Sequence, residues 1–387
     1  MIGMSAVIFI PDDTAKTGYP QPLMLQSVMG APLLAWLANA LFDSGVGRFF
    51  LVCHDRYVEA ARACLPAEAE VMTTMDSDPA DLLHVFLSTA EDAEHTITVV
   101  TGPAVYLPQL APQAAGRFPR VYGVSREELM QALDEHFSFA RFLLDNGSPM
   151  NEEQAMYSVA SPAELPEIAG LLQRNRLLAL ARTGVEIYDA SSCYVEPSVR
   201  VAPGARLLPG TMLRGKTVIG EEAVIGPWSV IDDSVIGARA VVNASQVRDS
   251  RVGQEAVIGP YASVRGGCEL GRSVRAGSFV ELKNARLGEN TQVPHLAYLG
   301  DTEAGANCNF GCGVTTANFD RVQKHETVVG EGAFIGCNTA LIAPLQVGSG
   351  AYIGAGSTIT EDVPAQALGI ARARQSNKKE WAAKHKK

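Results

Sequence analysis

The sequence predicts an α/β domain followed by an all-β domain, a left-handed parallel β-helix. Up to about residue 145, short β-rich runs alternate with helical stretches. From about residue 193, small and aliphatic residues instead recur with a period of six. With 387 residues, 47% of them hydrophobic and 19% charged, the chain is long and apolar enough for two or three folded domains.

The α/β domain is predicted for residues 1–145. Its strand candidates are the runs SAVIFI, RFFLVC, TITVV and RVYGV, and its helix candidates include APLLAWLANALFDSG and RYVEAARACL. Apolar residues recur at helical spacing in the last two segments. This alternation predicts parallel strands that are joined by crossover helices.

A helical linker is predicted for residues 146–192. Its helix, in SPAELPEIAGLLQRNRLLALARTG, is expected to begin with Ser161 as N-cap and Pro162 at the first helical position. Glu164 would complete a capping box with Ser161. Gly184 suits the position just past the end of this helix.

The β-helix is predicted for residues 193–365, and residues 366–387 are expected to form a C-terminal arm with a basic tail. Hexads such as IGEEAV from Ile219, VGQEAV from Val252 and IGAGST from Ile353 open with an aliphatic residue followed by glycine. One hexad supplies a short strand and a turn, so three hexads form one triangular coil. The aliphatic residues then point inward and stack into a core.

Composition and charge exclude several classes of protein. The net charge of −10 argues against general nucleic-acid binding, although a local cationic pocket stays possible. Because the sequence has no basic targeting segment and no apolar run of membrane-spanning length, we expect a cytoplasmic protein that binds no membrane. The seven cysteines show no disulfide framework, and no second Cys/His pair completes a zinc site with Cys308 and Cys312, so no metal is expected.

Function is expected where the repeat is interrupted, because the regular faces of such a coil carry mostly small residues. The segment TTANFDRVQKHET, residues 315–327, must loop out of the coil. Shortly before it, HLAYLGD, residues 295–301, places an imidazole, a phenol and a carboxylate close together. These two segments mark the candidate site.

Several motifs in this half of the chain resemble a single family. GPYASVRGG, GSFVELKNARLG, VPHLAYLGDTEAGANCNFGCG, ANFDRVQK and ALGIARARQSNKKEW lie between about Gly259 and Trp381. They are similar to the acetyltransferase half of the bacterial bifunctional enzyme that joins a glucosamine-1-phosphate N-acetyltransferase to an N-acetylglucosamine-1-phosphate uridyltransferase. The resemblance implies a β-helix enzyme that uses acetyl-CoA as acetyl donor and assembles as a homotrimer.

The resemblance also implies a role for individual residues. His295 matches the general base that takes a proton from the amine of the sugar, and Glu281 matches an acidic residue beside it. The positions that hold the acceptor sugar and its phosphate correspond to Arg265, Lys283, Tyr298, Asn309 and Lys324. The acetyl-CoA positions, which in the family lie between neighbouring subunits, correspond to Cys312, Asn318, Phe319, Cys337, Ala355 and Arg372.

The chemistry of these residue types agrees with the roles. Imidazole has the pKa best suited to proton transfer near neutral pH, and an arginine with two lysines suits a sugar phosphate with nearly two negative charges. Direct transfer needs no acyl-enzyme, only positioning and one base. This chain departs from the family on the donor side, with Phe319 in place of tyrosine, Cys337 in place of serine and Cys312 in place of alanine.

The α/β domain resembles the family's uridyltransferase domain in outline only, and it is shorter. Its first strand is followed by FIPDDTAKTGYPQ instead of a glycine-rich loop for nucleotide phosphates. Leu23 stands where the family has a lysine, and Pro103 stands where it has a metal-binding aspartate. We therefore expect a degenerate nucleotidyltransferase-like domain that has lost uridyltransferase activity.

The expected function is acetylation of glucosamine-1-phosphate, which would supply N-acetylglucosamine-1-phosphate for UDP-N-acetylglucosamine and cell-wall precursors such as peptidoglycan. One alternative is an acetyltransferase for another aminosugar or for a nucleotide-aminosugar. A nucleotide-aminosugar would present a diphosphate ester that is less charged than the phosphate of glucosamine-1-phosphate. A second alternative is a non-catalytic trimeric scaffold or regulator. The role of the N-terminal domain and the preference among aminosugars stay open at this point.

Overall fold

A computed structural model describes residues 4–74, 79–90, 95–110, 120–134, 139–150 and 155–385. The chain divides into two compact units. The first comprises Met1–Val199 with Leu213–Gly215, and the second comprises Arg200–Met212 with Lys216–Lys387. Within the described residues, no helix combines the length and the apolar character that crossing a membrane would require.

The first unit alternates short strands with helices. Its strands are β1 Ser5–Phe9, β2 Ser27–Val28, β3 Ala31–Pro32, β4 Arg48–Val52, β5 Glu70–Thr74, β6 Thr96–Val100, β7 Ala104–Tyr106, β8 Val121–Ser125, β9 Ser148–Met150, β10 Met156–Ser158, β11 Glu186–Ile187 and β12 Tyr194–Val195. Its helices are α1 Thr14–Thr17, α2 Leu33–Asp43, α3 Val58–Arg62, α4 Ala80–Ser88, α5 Arg126–Asp134, α6 Phe139–Asn146 and α7 Leu165–Arg182.

The central sheet of this unit has the strand order β5-β4-β1-β6-β8-β9. The strands β1, β4 and β6 are parallel, as predicted, and β5, which was not among the predicted strands, is parallel to β4, but β8 is antiparallel to both of its neighbours. The prediction of parallel pairing is therefore wrong for the run RVYGV. A parallel return needs a crossover connection, and the described residues between β6 and β8 contain no helix that could supply one.

Both faces of this sheet are covered, so the unit has two hydrophobic cores. Side chains of successive strand residues point to opposite faces. Ile8 therefore joins the core around Leu37 of α2, whereas its neighbour Val7 joins the core around Phe86 of α4. Buried residues on both faces explain why these strands read as continuous apolar runs.

The linker helix begins later than predicted. Residues Pro162–Glu164 form a single 3₁₀ turn, and α7 begins at Leu165. Ser161 makes no side-chain cap bond to the backbone; its hydroxyl instead donates to Glu164 Oε1 at 3.5 Å, and the Glu164 carboxylate also accepts from the N–H of Ala160 at 3.3 Å. The predicted capping box is therefore wrong. Gly184 does follow the helix, with a φ of 91° that suits glycine.

The second unit consists of short strands and a C-terminal arm. Its strands, with the junction strand β15, are β13 Arg200–Val201, β14 Arg206–Leu207, β15 Met212–Arg214, β16 Val218–Ile219, β17 Val224–Ile225, β18 Val230–Asp232, β19 Val235–Ile236, β20 Val241–Val242, β21 Gln246–Arg248, β22 Arg251–Val252, β23 Val257–Ile258, β24 Ser263–Arg265, β25 Glu269–Leu270, β26 Arg275–Leu287, β27 Gln292–Ala304, β28 Asn309–Phe310, β29 Thr315–Ala317, β30 Thr327–Val329, β31 Phe334–Ile335, β32 Ala340–Ile342, β33 Leu345–Val347, β34 Tyr352–Ile353, β35 Thr358–Ile359 and β36 Leu368–Gly369. The arm ends in the short helix α8, Trp381–Lys384.

These strands form the predicted β-helix. From β13 to β22, each strand pairs with the third strand further along the chain, so three strands make one coil. The pairs whose register is defined are parallel. The aliphatic residues that open successive hexads stack in a buried column of Ile219, Ile236, Val252, Leu270 and Leu287.

The glycine that follows the aliphatic residue is required by the close approach of one coil to the next. A Cβ built on Gly220 would lie 2.6 Å from the backbone nitrogen of Ala238, and one on Gly271 would lie 2.8 Å from that of Glu289. Any larger residue would push neighbouring coils further apart than the normal strand spacing of about 4.8 Å.

The regular pattern changes at β26 and β27. Each runs for 13 residues, most of a 17-residue coil, and the two pair from Arg275 with Gln292 to Leu287 with Ala304. After β29 the chain leaves the coil over residues 318–326 and returns at β30. The looped insertion therefore lies where it was predicted, with its first three residues still in a strand.

Candidate functional site

Four of the residues assigned to catalysis and to the acceptor lie on one outer face of the β-helix. Arg265 on β24 is opposite Lys283 on β26, and Glu281 on β26 is opposite Tyr298 on β27. Glu281 and Lys283 are two residues apart on one strand, so their side chains point to the same side. Arg265 and Glu281 form an ion pair, and both side chains stay partly exposed. We call these four residues the acceptor face.

The inserted loop adds a second lysine to this face. Lys324 lies close enough to Lys283 to be the main cause that lowers the pKa of Lys283, because two neighbouring ammonium groups repel each other. The charge of Arg265 acts in the same direction, while Asp301 opposes it. Three cations are thus concentrated on one small exposed surface, an arrangement suited to a doubly charged anion.

The geometry of the loop explains how Lys324 reaches this position. Phe319 and Lys324 form an isolated antiparallel bridge, and the N–H of His325 donates to the carbonyl of Asn318 at 2.8 Å. Inside the loop, the Asp320 carboxylate accepts from the N–H groups of Val322 and Gln323 and contacts His325 Nε2 at 2.7 Å. These bonds lower the pKa of Asp320. The loop is therefore closed by backbone pairing at its base and stabilised by hydrogen bonds to the Asp320 carboxylate inside it.

His295 lies at the corner of the coil just before the acceptor face. It is exposed, and it is opposite Ser278 in the preceding coil. The next residue, Leu296, has a φ of 39° and turns the chain toward Tyr298. The imidazole is therefore open to solvent and only three positions before Tyr298, as a base that acts on a bound sugar would have to be.

Four of the assigned residues stack at this corner, one in each successive coil. The register aligns His295 with Cys312, Cys312 with Cys337, and Cys337 with Ala355. We call these four residues the corner column. At about 4.8 Å per coil, the column extends roughly 14 Å from the imidazole. Arg372 lies beyond its end, with Cδ 3.7 Å from a Cβ built on Gly356.

Asn318 and Phe319 lie at the start of the inserted loop, with opposite exposure. Asn318 is buried and donates a hydrogen bond to Asp301, whereas Phe319 is 61% exposed. Asn318 also approaches Tyr298 closely. A Cβ built on Gly300 would overlap the Tyr298 hydroxyl and lie 2.7 Å from Asn318 Nδ2. Gly300 therefore makes room for the phenol and the amide to lie side by side.

Sequence reasoning missed the polar column that holds Asn318. Asn284, Asp301 and Asn318 follow each other at intervals of 17 residues, the length of the coils here. The Asp301 carboxylate accepts from Asn284 Nδ2 at 2.7 Å with one oxygen and from Asn318 with the other. The interval of 17 residues was a usable signal. It acquires meaning only once the coil length is known.

Asn309 is not brought to the acceptor face within one chain. It lies on β28, opposite Gln292 on one side and Phe334 on the other. This is the face before the corner, while Tyr298 lies on the face after it. A shared role for Asn309 and Tyr298 would require two chains, which remains a prediction.

No metal centre is visible among the residues that the structure describes. Within those ranges, no group of three or more His, Cys, Asp or Glu side chains could hold a metal ion. Cys308, which the sequence analysis considered with Cys312, is buried, and its Sγ contacts the carbonyl of Gly330 at 3.1 Å.

Known proteins and one family model resemble parts of this chain. A family model described as bacterial transferase hexapeptide (six repeats) matches residues 326–361. The bifunctional protein GlmU of Brevibacillus brevis is 44% identical over 221 residues, which is 57% of this chain and 48% of that protein. The one from Caldicellulosiruptor saccharolyticus is 48% identical over 203 residues, which is 52% of this chain and 44% of that protein.

The chain is a relative of the bifunctional GlmU proteins. This confirms the resemblance that was inferred from the motifs. The chain spans about half the length of the GlmU proteins it matches. Among solved structures, the inositol-1-phosphate CTP transferase from T. maritima is 13% identical and matches 46% of this chain and 97% of its own at a TM-score of 0.34, a likeness too weak to carry an argument.

Two places in the described part of the first unit bear on the expected loss of uridyltransferase activity. Directly after β1, Asp12 forms an ion pair with Arg56, and Asp13 Oδ1 accepts from the N–H of Leu23 at 2.9 Å. Two carboxylates thus stand where nucleotide phosphates would need donors. Next to the end of β6, a Cβ built on Gly102 would lie 2.8 Å from Arg120 Nη1, so a cation adjoins the place expected for a metal-binding carboxylate.

Proposed function

We propose that this chain transfers the acetyl group of acetyl-CoA to the amine of glucosamine-1-phosphate. The product, N-acetylglucosamine-1-phosphate, would be used for UDP-N-acetylglucosamine synthesis. One observation carries the proposal: an exposed imidazole, His295, stands at the corner beside a face that concentrates Arg265, Lys283 and Lys324. This combination matches an acceptor that joins a phosphate dianion to an amine.

The cations would hold and orient the acceptor. A guanidinium group binds phosphate oxygens through a planar pair of donors, while lysines supply point charges that adapt to the remaining oxygens. In the structure, Arg265 forms an ion pair with Glu281. Binding of the dianion would compete for this guanidinium and would free the Glu281 carboxylate to face the amine side of the sugar.

His295 would act as the general base. The neutral amine attacks the thioester carbonyl, a C–N bond forms, and the C–S bond breaks as the thiol of CoA leaves. The attacking nitrogen loses one proton in this sequence, and an imidazole accepts a proton readily near neutral pH. No acyl-enzyme is required, because the two substrates can react directly when they are held in line.

The donor would lie along the corner column. Its residues beyond His295 are small or thiol-bearing, and they extend away from the acceptor face for about three coils, roughly 14 Å. An extended thioester arm laid along this column would bring its acyl end to the imidazole. Phe319 is 61% exposed at the start of the inserted loop, one face beyond the corner column of its own chain, so it would offer its apolar surface to the donor held by a neighbouring copy.

We further propose a cytoplasmic homotrimer. Asn309, on the face before the corner, could complete the acceptor site of a neighbouring copy, since it cannot reach Tyr298 in its own chain. The first unit is proposed to have lost uridyl transfer, because Asp12 and Asp13 would repel nucleotide phosphates. The expected domain boundaries, at about residues 145, 192 and 365, remain part of this proposal.

The test is an acetyl-transfer assay on the purified chain with a panel of acceptors and detection of free CoA. Glucosamine-1-phosphate should be acetylated with a higher kcat/KM than glucosamine, glucosamine-6-phosphate or a nucleotide-aminosugar, because only it presents a dianion at the matching distance from the amine. Preference for the nucleotide-aminosugar would contradict the assignment of the acceptor. Absence of CoA release with every acceptor would favour a scaffold instead.

A further inference from the structure

Two of the seven cysteines differ from the other five in exposure. Cys53, Cys64, Cys193, Cys268 and Cys308 are buried, whereas Cys312 is half-buried and Cys337 is exposed. Burial raises the pKa of the Cys64 thiol to about 11, and it also raises those of Cys268 and Cys308. Buried thiols of this kind are slow to form thiolates and slow to be oxidised.

The two accessible cysteines are neighbours in space although 25 residues separate them in sequence. Asn309 pairs with Phe334 and Thr315 with Ala340, so the constant register between these pairs places Cys312 directly against Cys337. The N–H of Asn338 donates to the carbonyl of Cys312 at 2.7 Å, which confirms the contact between the two coils.

The distances permit a covalent bond. Facing residues in neighbouring strands have Cα atoms about 4.8 Å apart, and disulfides span Cα distances of about 4.4–6.8 Å. The thiol of Cys337 also leans back toward the earlier coil, because its Sγ lies 2.9 Å from a Cβ built on Gly311. The residue at this position, Gly311, immediately precedes Cys312 and has no side chain that could lie between the two sulfur atoms.

We propose that Cys312 and Cys337 are a reversible oxidation site, which peroxides convert to a disulfide between adjacent coils. The peroxide oxidises one thiol to a sulfenic acid and releases water, and the other thiol attacks that sulfur and releases a second water. The two thiols together lose two protons and two electrons, and one peroxide is reduced to two waters. A dithiol reductant reverses the bond.

The position of the pair predicts the consequence. Both cysteines belong to the corner column, between His295 and Ala355, along which the acetyl donor is proposed to lie. A disulfide would draw the two side chains together and remove both thiol hydrogens, so the surface offered to the donor would change. Oxidation should therefore suppress acetyl transfer. This consequence rests on the proposed function, whereas formation of the disulfide does not.

The disulfide is tested by peptide mapping of the full chain after treatment with hydrogen peroxide. Trypsin releases Cys312 in residues 287–321 and Cys337 in residues 325–372. We expect these peptides to be joined, with the mass of two hydrogen atoms lost, and fragment spectra should assign the bond to Cys312 and not to Cys308. Alkylation of both thiols after peroxide treatment, or a bond between two chains, would overturn the proposal.

The effect on activity is tested with oxidised and reduced protein side by side. We expect oxidation to lower kcat/KM for acetyl-CoA by about tenfold or more, and dithiothreitol should restore it. A tenfold loss corresponds to about 1.4 kcal/mol of transition-state stabilisation, the size of effect expected from one altered contact with the donor. In the Cys312→Ala and Cys337→Ser variants, peroxide should no longer lower kcat/KM. The activity of each variant after peroxide is compared with that of the same variant kept under reducing conditions. The matched control Cys64→Ala, a buried thiol in the first unit, should keep it.

These outcomes separate the two proposals. A disulfide that forms while donor kinetics stay unchanged would overturn the regulatory role of the pair. A disulfide in a protein that releases no CoA in either state would overturn the proposed function and leave the oxidation site in place. If a substituted chain fails to fold, peptide mapping of the unsubstituted protein still decides whether the bond forms.

Discussion

Replacement of His295 by alanine tests the centre of the proposed mechanism. The side chain is exposed at a corner and belongs to neither the buried aliphatic column nor a described hydrogen bond. Its removal should therefore change the free energy of unfolding by no more than about 0.5 kcal/mol, the usual range for surface substitutions. The left-handed turn at Leu296, with a φ of 39°, does not depend on the imidazole.

The expected loss is in turnover. A positioned general base contributes about 10² to 10⁴ in rate, so kcat for acetyl transfer should fall by that factor, equivalent to about 3–5 kcal/mol. The KM for glucosamine-1-phosphate should change much less, because Arg265, Lys283 and Lys324 remain. Added imidazole should restore part of the lost rate, since a small base can occupy the space that the side chain leaves.

The assay measures CoA release with saturating glucosamine-1-phosphate, and thermal unfolding is followed in parallel. His84→Ala is the control, because His84 is a partly exposed histidine on α4 of the first unit and has no role in the proposed site. Its kinetics should stay at the unsubstituted level. Near-normal turnover in His295→Ala would refute the assignment of the base, and Tyr298 or a water held by Glu281 would then be the next candidate.

Four further predictions concern the acceptor cations, the first unit and assembly. Because neighbouring cations lower the pKa of Lys283, its ammonium should lose its proton below the ordinary lysine pKa, so acceptor KM should rise at high pH. Lys324→Ala should move that rise in KM to higher pH. An unchanged dependence of KM on pH would contradict the influence of Lys324 on Lys283. Arg265→Ala should raise the KM for the acceptor more than it lowers kcat. If kcat fell as much as KM rose, Arg265 would not mainly contact the acceptor in its bound ground state. Pyrophosphate release from UTP with N-acetylglucosamine-1-phosphate and magnesium should be absent, and turnover of roughly 1–10³ per second would show that the first unit is active. Light scattering should give the mass of a trimer, and a monomer at micromolar concentration would contradict the shared site.

Local features of both units were predictable from the sequence. The hexad period specified short strands with inward aliphatic residues, because each hexad must bury its aliphatic side chain against copies of itself. The glycine after that residue followed from the same constraint, as Gly220 and Gly271 demonstrate. The motifs that resemble one family also predicted His295 and the cations as site residues.

The contacts between coils were decided by tertiary structure. Coil lengths of 17 residues place Asp301 between Asn284 and Asn318, while the inserted loop lengthens the next coil to 25 residues and sets Cys337 against Cys312. Each alignment depends on how many residues the intervening turns consume, and no local pattern encodes that number. The antiparallel pairing of β8 depends in the same way on its connection, and the late start of α7, after the 3₁₀ turn at Pro162–Glu164, accompanies hydrogen bonds of Glu164 that differ from a capping box. The sequence alone therefore determined which residues face inward, and the accumulated length of the coils decided which outward residues meet.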